Sequence, residues 1–332
     1  MTTIVDVAKK AGVSFKTVSR VLNGESGVRQ ETKDKVLKAA EELNYTVNVS
    51  ARSLRLKRKH LVGLLINNPS LNYSQDIQFG AMVGCQNAGL SLIVENPFEE
   101  EAILRLSNQS GILGLILTPP QANDVKLVEK IERTGIPFVR VGTELEIGSS
   151  HRIGIDDRQA AFEMTTHLIE LGHRDIAFIN GPPTHHVCIR RREGYFNALE
   201  AAKIPIDRKM VATGEFTYAS GMENAELILN SSRKPSAIFA CNDEMAAGCL
   251  AAAYKLNIRV PEQLSVVGFD DSPVARVVYP ALTTVHQSTR EMAQRAVEIL
   301  NELDKGNEAE INDRPLNHQL IFRSTTSKYD QK

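Results

Sequence analysis

Apolar and polar residues follow two different rhythms along this chain, and the change falls near residue 60. Before it, apolar positions recur at helical spacing in short blocks. Val5 and Ala8 share one helical face, Gly12 offers a turn with positive φ, and Ser14 can cap a second helix that turns Val18, Val21 and Leu22 inward. A third helix is predicted within QETKDKVLKAAEELNY, where Val36, Ala39, Ala40 and Leu43 repeat at i, i+3, i+4 and i+7. The three are expected to bury one small core.

Residues 48–60, NVSARSLRLKRKH, lack such a face: Ser50 can cap a helix, but Leu54 is the main apolar side chain among five basic ones. A helix this short is marginal alone in water, where ~12 to 15 residues are usually needed, so this segment is expected to order only against a partner. From residue 61, strand-like runs alternate with helical periods: LVGLLI, LSLIVE, ILGLIL, PFVRVG, then DIAFING, MVATGEF, AIFACND, LSVVGFDD. Between them sit helices such as DDRQAAFEMTTHLIELGH, with Ala161, Met164, Leu168 and Leu171 on one side. This is the βαβ pattern of a parallel sheet, written twice. The predicted class is α/β: an all-α helix-turn-helix head, then a two-lobed core of doubly wound parallel sheets with a ligand cleft at the strands' carboxyl ends.

Composition sharpens this picture. At 332 residues the chain exceeds what one core of ~250 residues usually serves, and 42% hydrophobic with 24% charged residues excludes wholesale disorder. The net charge of −1 hides an asymmetry: residues 1–60 hold 13 Lys and Arg against 6 Asp and Glu, and the remainder 26 against 34. A basic end on an acidic body points to an anionic polymer as partner of that end. No apolar run approaches the ~20 residues of a membrane span, and MTTIVDVAKKAG lacks a signal peptide's apolar core, so a cytoplasmic protein without membrane contact is expected. Cys85, Cys188, Cys241 and Cys249 form no CxxC pair and no metal-ligand spacing, so reduced, buried thiols are expected.

The candidate chemistry begins in the second helix. In a helix-turn-helix its N-terminal residues enter the major groove, with Phe15, Lys16 and Arg20 pointing outward. Lys or Arg can donate to guanine O6 and N7, Phe15 can meet a thymine methyl, and the Thr17 and Ser19 hydroxyls suit phosphates.

TIVDVAKKAGVSFKTVSRVLNGESGVRQETKDKVLKAAEELNY followed by NVSARSLR resembles the DNA-binding head and hinge of the LacI/GalR (lactose/galactose repressor) family. HLIELGHRDIAFINGPP, RRREGYFNAL, AIFACNDEMAAG, LSVVGFDDSP and YPALTTV resemble, in order, that family's periplasmic-binding-protein-like core. The resemblance implies a head at 1–47, a hinge helix or linker at 48–60 and an effector-binding, dimerising core at 61–332. Its N-terminal lobe would span about 61–157 plus 286–312 and its C-terminal lobe about 158–285 plus 313–332. It implies DNA contacts from Thr3, Ser14, Phe15, Lys16, Thr17, Ser19, Arg20 and Asn23, and from Ala51, Leu54 and Arg55 of the hinge, with Leu54 wedged into the minor groove. The basic run Arg52, Arg55, Lys57, Arg58 and Lys59 would hold phosphates.

In the core the resemblance places Arg191, Phe216, Asn242 and Asp270 around a polyol or sugar, and Tyr73, Ser74, Asp76 and Phe79 on the facing lobe. There this chain reads Asn68-Pro69-Ser70-Leu71 where many members read Asn-Pro-Phe-Phe. The implied function is a repressor: a homodimer on a pseudo-palindromic, double-stranded operator, controlled by a small molecule in the cleft. The rivals are a solute-binding protein and an α/β enzyme with an accessory domain. The chain has no GxxxxGK[ST] loop and no GxSxG elbow, and His185 and His186 read as loop residues without a third ligand. No catalytic residue, metal or cofactor is expected.

Overall fold

The computed structural model describes residues 2–22, 27–43, 45, 59–96, 100–308 and 314–329. The chain forms two compact units, 1–59 and 60–332. Asn23 and, in the predicted hinge, Ala51, Leu54 and Arg55 lie outside the described residues.

In the first unit, α1 (Ile4–Ala11), α2 (Phe15–Leu22) and α3 (Gln30–Glu42) enclose Val7, Ala8, Val18, Val21, Val36, Ala39 and Ala40. Thr3 and Asp6 form a capping box at the start of α1, and Gly12 ends it at φ 65. The predicted inward face of α1 is corrected here. Ile4, Val7, Ala8 and Ala11 make the i, i+3, i+4, i+7 stripe, which leaves Val5 on the flank, 61% exposed.

The second unit holds two parallel sheets. One runs in the order β2 (Ser91–Glu95), β1 (Leu61–Leu65), β3 (Ile112–Leu117), β4 (Phe138–Val141), β5 (His151–Ile153). The other runs β7 (Val211–Thr213), β6 (Ile176–Asn180), β8 (Ala237–Ala240), β9 (Ser265–Val267). The eight predicted core strands are present. β5 and the antiparallel pair β10 (Thr284–His286) and β11 (Gln319–Ile321) add to the predicted strands.

The first sheet carries α4 (Leu71–Ala88), α5 (Glu100–Ser107) and α6 (Val125–Thr134). It also carries α12 (Thr289–Lys305), which returns after β10 to pack on α4, β3 and β4. The second sheet carries α7 (Asp157–Glu170), α8 (His186–Ala201), α9 (Tyr218–Leu229), α10 (Asp243–Lys255) and the short α11 (Pro273–Val277). Ala161, Met164 and Leu168 of α7 are buried as its period predicts. α7 and α8 pack closely at Gly194, where a Cβ would collide with the Arg158 carbonyl. Arg191, one turn earlier on α8, is thereby brought beside Asp157, the first residue of α7.

Candidate functional site

Two regions carry candidate chemistry. On the head, Lys16 and Arg20 are exposed along α2. The Ser14 hydroxyl caps α2 by accepting from the Thr17 backbone N–H at 3.1 Å and also meets the Thr17 hydroxyl at 2.8 Å. Thr3 donates its hydroxyl to Asp6 at 2.7 Å. These three hydroxyls thus orient the two helices locally. Ser19 is half-buried. The outward placement of Phe15 is corrected: its ring is half-buried, packed against the head core.

In the core, the loops leaving the carboxyl ends of both sheets converge on one cavity. Asn68 follows β1, Pro119 follows β3 and Gly142 follows β4 on one side; His185, Phe216, Asn242 and Asp270 follow β6, β7, β8 and β9 on the other. Parallel strands point their carboxyl ends one way, so each βα loop delivers its first residues to the same edge.

All four residues expected from the second lobe line this cavity. Arg191 is fully enclosed: Nε donates to Asp157 at 2.7 Å, Nη1 donates to the Cys241 carbonyl at 2.7 Å, and the guanidinium carbon lies 3.5 Å from the centroid of the Phe269 ring. Asp270 stands 3.8 Å from Nη1 and accepts from Gln287 Nε2 at 2.5 Å. Burial works against the guanidinium's charge, but Asp157 and Asp270 outweigh it and hold Arg191 above its usual range. Burial likewise pushes Asp157 up to about 6 and Asp270 up to about 7, with Arg191 opposing both shifts. Asn242 is fixed at both ends of its amide, donating to the Phe216 carbonyl at 3.0 Å and accepting from the Met245 N–H at 3.0 Å as the cap of α10.

Phe216 and Asp270 hold left-handed backbone, φ 61 and 114. Such conformations cost about 1–3 kcal/mol each in non-glycine residues and gather at ligand sites. The turn that carries Asp270 is anchored by its neighbour Asp271, which accepts from Arg323, Arg276 and His286.

The facing lobe differs from expectation. Tyr73 lines the cavity, but Ser74, Asp76 and Phe79 do not. Ser74 turns its hydroxyl back to the Asn68 carbonyl at 3.3 Å. Asp76 pairs with Arg290 at 2.7 Å, and the same guanidinium lies over Phe79 at 4.8 Å. The reason is geometric: α4 begins at Leu71 and rises 1.5 Å per residue, so only its first turn stays at the cleft.

Sequence reasoning missed Asn68, Ser70, Pro119, Gly142, Val187 and Gln287 in the lining, and Asp157 as the partner of Arg191. It also read His185 as a loop residue, whereas His185 stands at the N-cap position of α8, is buried, and packs edge-on to Phe216 with ring centroids 5.2 Å apart. Burial, helped by Arg191, pushes the His185 pKa down to about 4 and keeps it neutral. For Asn68, Ser70, Pro119, Gly142 and His185 the signal available was a position shortly after a predicted strand, whereas Asp157 and Gln287 follow β5 and β10, for which the sequence has no strand signal. Two buried polar atoms among the lining residues have no protein partner: the Tyr73 hydroxyl and His185 Nε2. Buried polar groups are normally satisfied, so both ask for a polar guest.

Among the described residues no cluster of three His, Cys, Asp or Glu suits a metal, and no helix is long and apolar enough to cross a membrane. The four cysteines are buried and unbridged.

Residues 3–48 match the family described as bacterial regulatory proteins, lacI family, and residues 165–326 match the periplasmic binding protein-like domain. The HTH-type transcriptional regulator AscG of Escherichia coli (strain K12) is 35% identical over 303 residues, 90% of each chain. Catabolite control protein A of Priestia megaterium is 32% identical over 331 residues, 98% of this chain and 99% of that one. Among solved structures, the lac repressor dimer bound to operator and the anti-inducer ONPF superposes with a TM-score of 0.86 at 29% identity, covering 98% of this chain and 99% of that one. The transcriptional regulator CelR in complex with cellobiose gives a TM-score of 0.74 at 30% identity, covering 98% and 100%. A helix-turn-helix head, two parallel sheets meeting at a polar cavity and similarity over nearly the whole length agree: this chain belongs to the LacI family of bacterial regulatory proteins and is a DNA-binding transcriptional regulator.

Proposed function

We propose that the chain is a cytoplasmic repressor that binds a pseudo-palindromic operator as a homodimer and is switched by a sugar or sugar derivative in the core cavity. The head, 1–47, reads bases through Lys16 and Arg20 on α2, with Ser19 and Thr17 on phosphates and Phe15 at the edge of the contact. The hinge, 48–60, follows the minor groove with Ala51, Leu54 and Arg55. The effector is held by Tyr73, Arg191, Phe216, Asn242 and Asp270, joined by His185. Differential affinity for open and closed lobes then shifts their equilibrium, and a coupling of about 1–3 kcal/mol suffices for regulation. We read the chain as a binder rather than an enzyme, in keeping with relatives that are regulators.

The observation that carries this reading is the polar cavity with two unpartnered polar atoms, on a chain whose basic end is a helix-turn-helix. Fluorescence anisotropy on promoter fragments, with and without sugars, tests it. The expected result is tight, salt-sensitive binding to one fragment over random duplex, altered by at least one sugar. Equal binding to every duplex under all conditions would refute it. Arg20→Ala is expected to relax base preference, and an unchanged preference would remove α2 from the groove.

A further inference from the structure

The charges around the cavity are unevenly matched. Arg191 is the one permanent cation among the lining residues, and two carboxylates already face it, Asp157 at 2.7 Å and Asp270 at 3.8 Å. A third carboxylate lies beside the lining residue Ser70. Glu244 Oε1, on α10, accepts from the Ser70 hydroxyl at 2.9 Å, the Asn72 backbone N–H at 3.2 Å and Asn72 Nδ2 at 2.8 Å, and so clasps one lobe to the other. Beside the first turn of α7, Arg190 and Glu144 pair at 2.8 Å, and Glu144 also accepts from the Asp157 N–H at 2.9 Å. Those two cancel each other. Asp243, buried behind Asp270, is raised well above the usual carboxylate range by burial and bonded to Ser272 and Thr284. His185 brings no charge.

Sites that take phosphate or carboxylate offer uncommitted guanidinium or ammonium groups. Here the one guanidinium is answered by the protein itself, so an anionic guest would meet surplus negative charge in a desolvated space. We propose that the cavity selects an uncharged, hydroxyl-rich ring ligand and rejects the phosphorylated and carboxylate forms of the same ring. The Tyr73 hydroxyl on the first-sheet side and His185 Nε2 on the second supply unpaired partners for hydroxyls, Asp270 and Arg191 add theirs beside His185, and Phe216 provides an apolar wall. A like charge at ~5 Å in an effective dielectric of ~20 weakens binding on the order of 100-fold.

This inference rests on reading the cavity as the effector site, and the experiment separates the two. Full-length protein is titrated by calorimetry and thermal shift with glucose, galactose and ribose, with the corresponding sugar phosphates, and with glucuronate and galacturonate; operator binding is followed in parallel. At least one neutral sugar is expected to bind and to raise Tm, with its anionic counterparts at least about 100-fold weaker. An anionic form that binds as tightly as its neutral parent overturns the charge selection and leaves the effector reading standing. No response to any probe, with operator binding intact, overturns both. Asp270→Asn, which keeps the shape and removes the negative charge that Asp270 carries above about pH 7, is expected to narrow the neutral-to-uronate ratio at least about tenfold in titrations at about pH 8. An unchanged ratio in a folded, operator-binding variant would also count against the proposal.

Discussion

The two walls of the cavity are built on opposite plans. The wall from the second sheet holds all of its ionic chemistry, Arg191, Asp157 and Asp270, with Asn242, and each of these groups is bonded to the protein. The wall from the first sheet, Asn68, Ser70, Tyr73, Pro119 and Gly142, has no ionisable group but the phenol of Tyr73, whose hydroxyl has no protein partner. The ionic groups of one wall are paired before a ligand arrives; the Tyr73 hydroxyl of the other is left for it. Preorganised charges lose little on binding, and an uncharged wall can close over a ligand without desolvating an ion.

The sharpest way to break this comparison is Arg191→Ala. It strands Asp157 in a buried site, so a loss of about 3–5 kcal/mol in denaturant unfolding is expected, together with loss of the effector response. Unchanged stability would mean that the charged wall is not held by its ion pair. Next comes pH. Burial sets Asp157 near 6 and Asp270 near 7 in the folded chain, so between about pH 4 and 7 the folded state binds protons that the unfolded state has released. That stability is whole below about pH 4 and is lost as pH rises through about 6 and 7, at up to roughly 1.4 kcal/mol per pKa unit. Denaturant midpoints measured from pH 5 to 8 should fall, and Asp270→Asn should flatten the upper part of the slope.

Smaller effects belong to the uncharged wall. Gly142 sits at φ 70 with the Tyr73 hydroxyl 2.7 Å from where a Cβ would stand. Gly142→Ala is therefore expected to destabilise by about 1–3 kcal/mol and to displace Tyr73, lowering ligand affinity in calorimetry. Tyr73→Phe removes a hydroxyl that has no protein partner, so stability should hold while ligand affinity drops by about 0.5–1.5 kcal/mol. Equal ligand affinity would show that the facing wall only covers the site.

The same contrast explains what could be read from residues alone. Arg191, Phe216, Asn242 and Asp270 reach the cavity because each lies immediately after a strand or on the first turns of the helix that follows, inside motifs with a recognisable pattern. On the other wall the expected residues ran down α4, and all but Tyr73 left the cleft as the helix rose. His185 was lost for a different reason. A histidine beside a Gly-Pro-Pro turn has the look of an exposed loop, and only the packing of Phe216 against it makes it a wall.

The order of amino acids by itself determined the three head helices, the basic end, the alternation of strands and helices and the cleft that such alternation creates, because these follow from periodicity and capping within a few residues. Only the tertiary structure decided that Asp157 answers Arg191 from 34 positions away, that Glu244 clasps Ser70 and Asn72, and that Gln287 reaches Asp270. Those pairings depend on which helices touch and which strand ends meet. A periodicity within one segment contains no term for the distance between two segments.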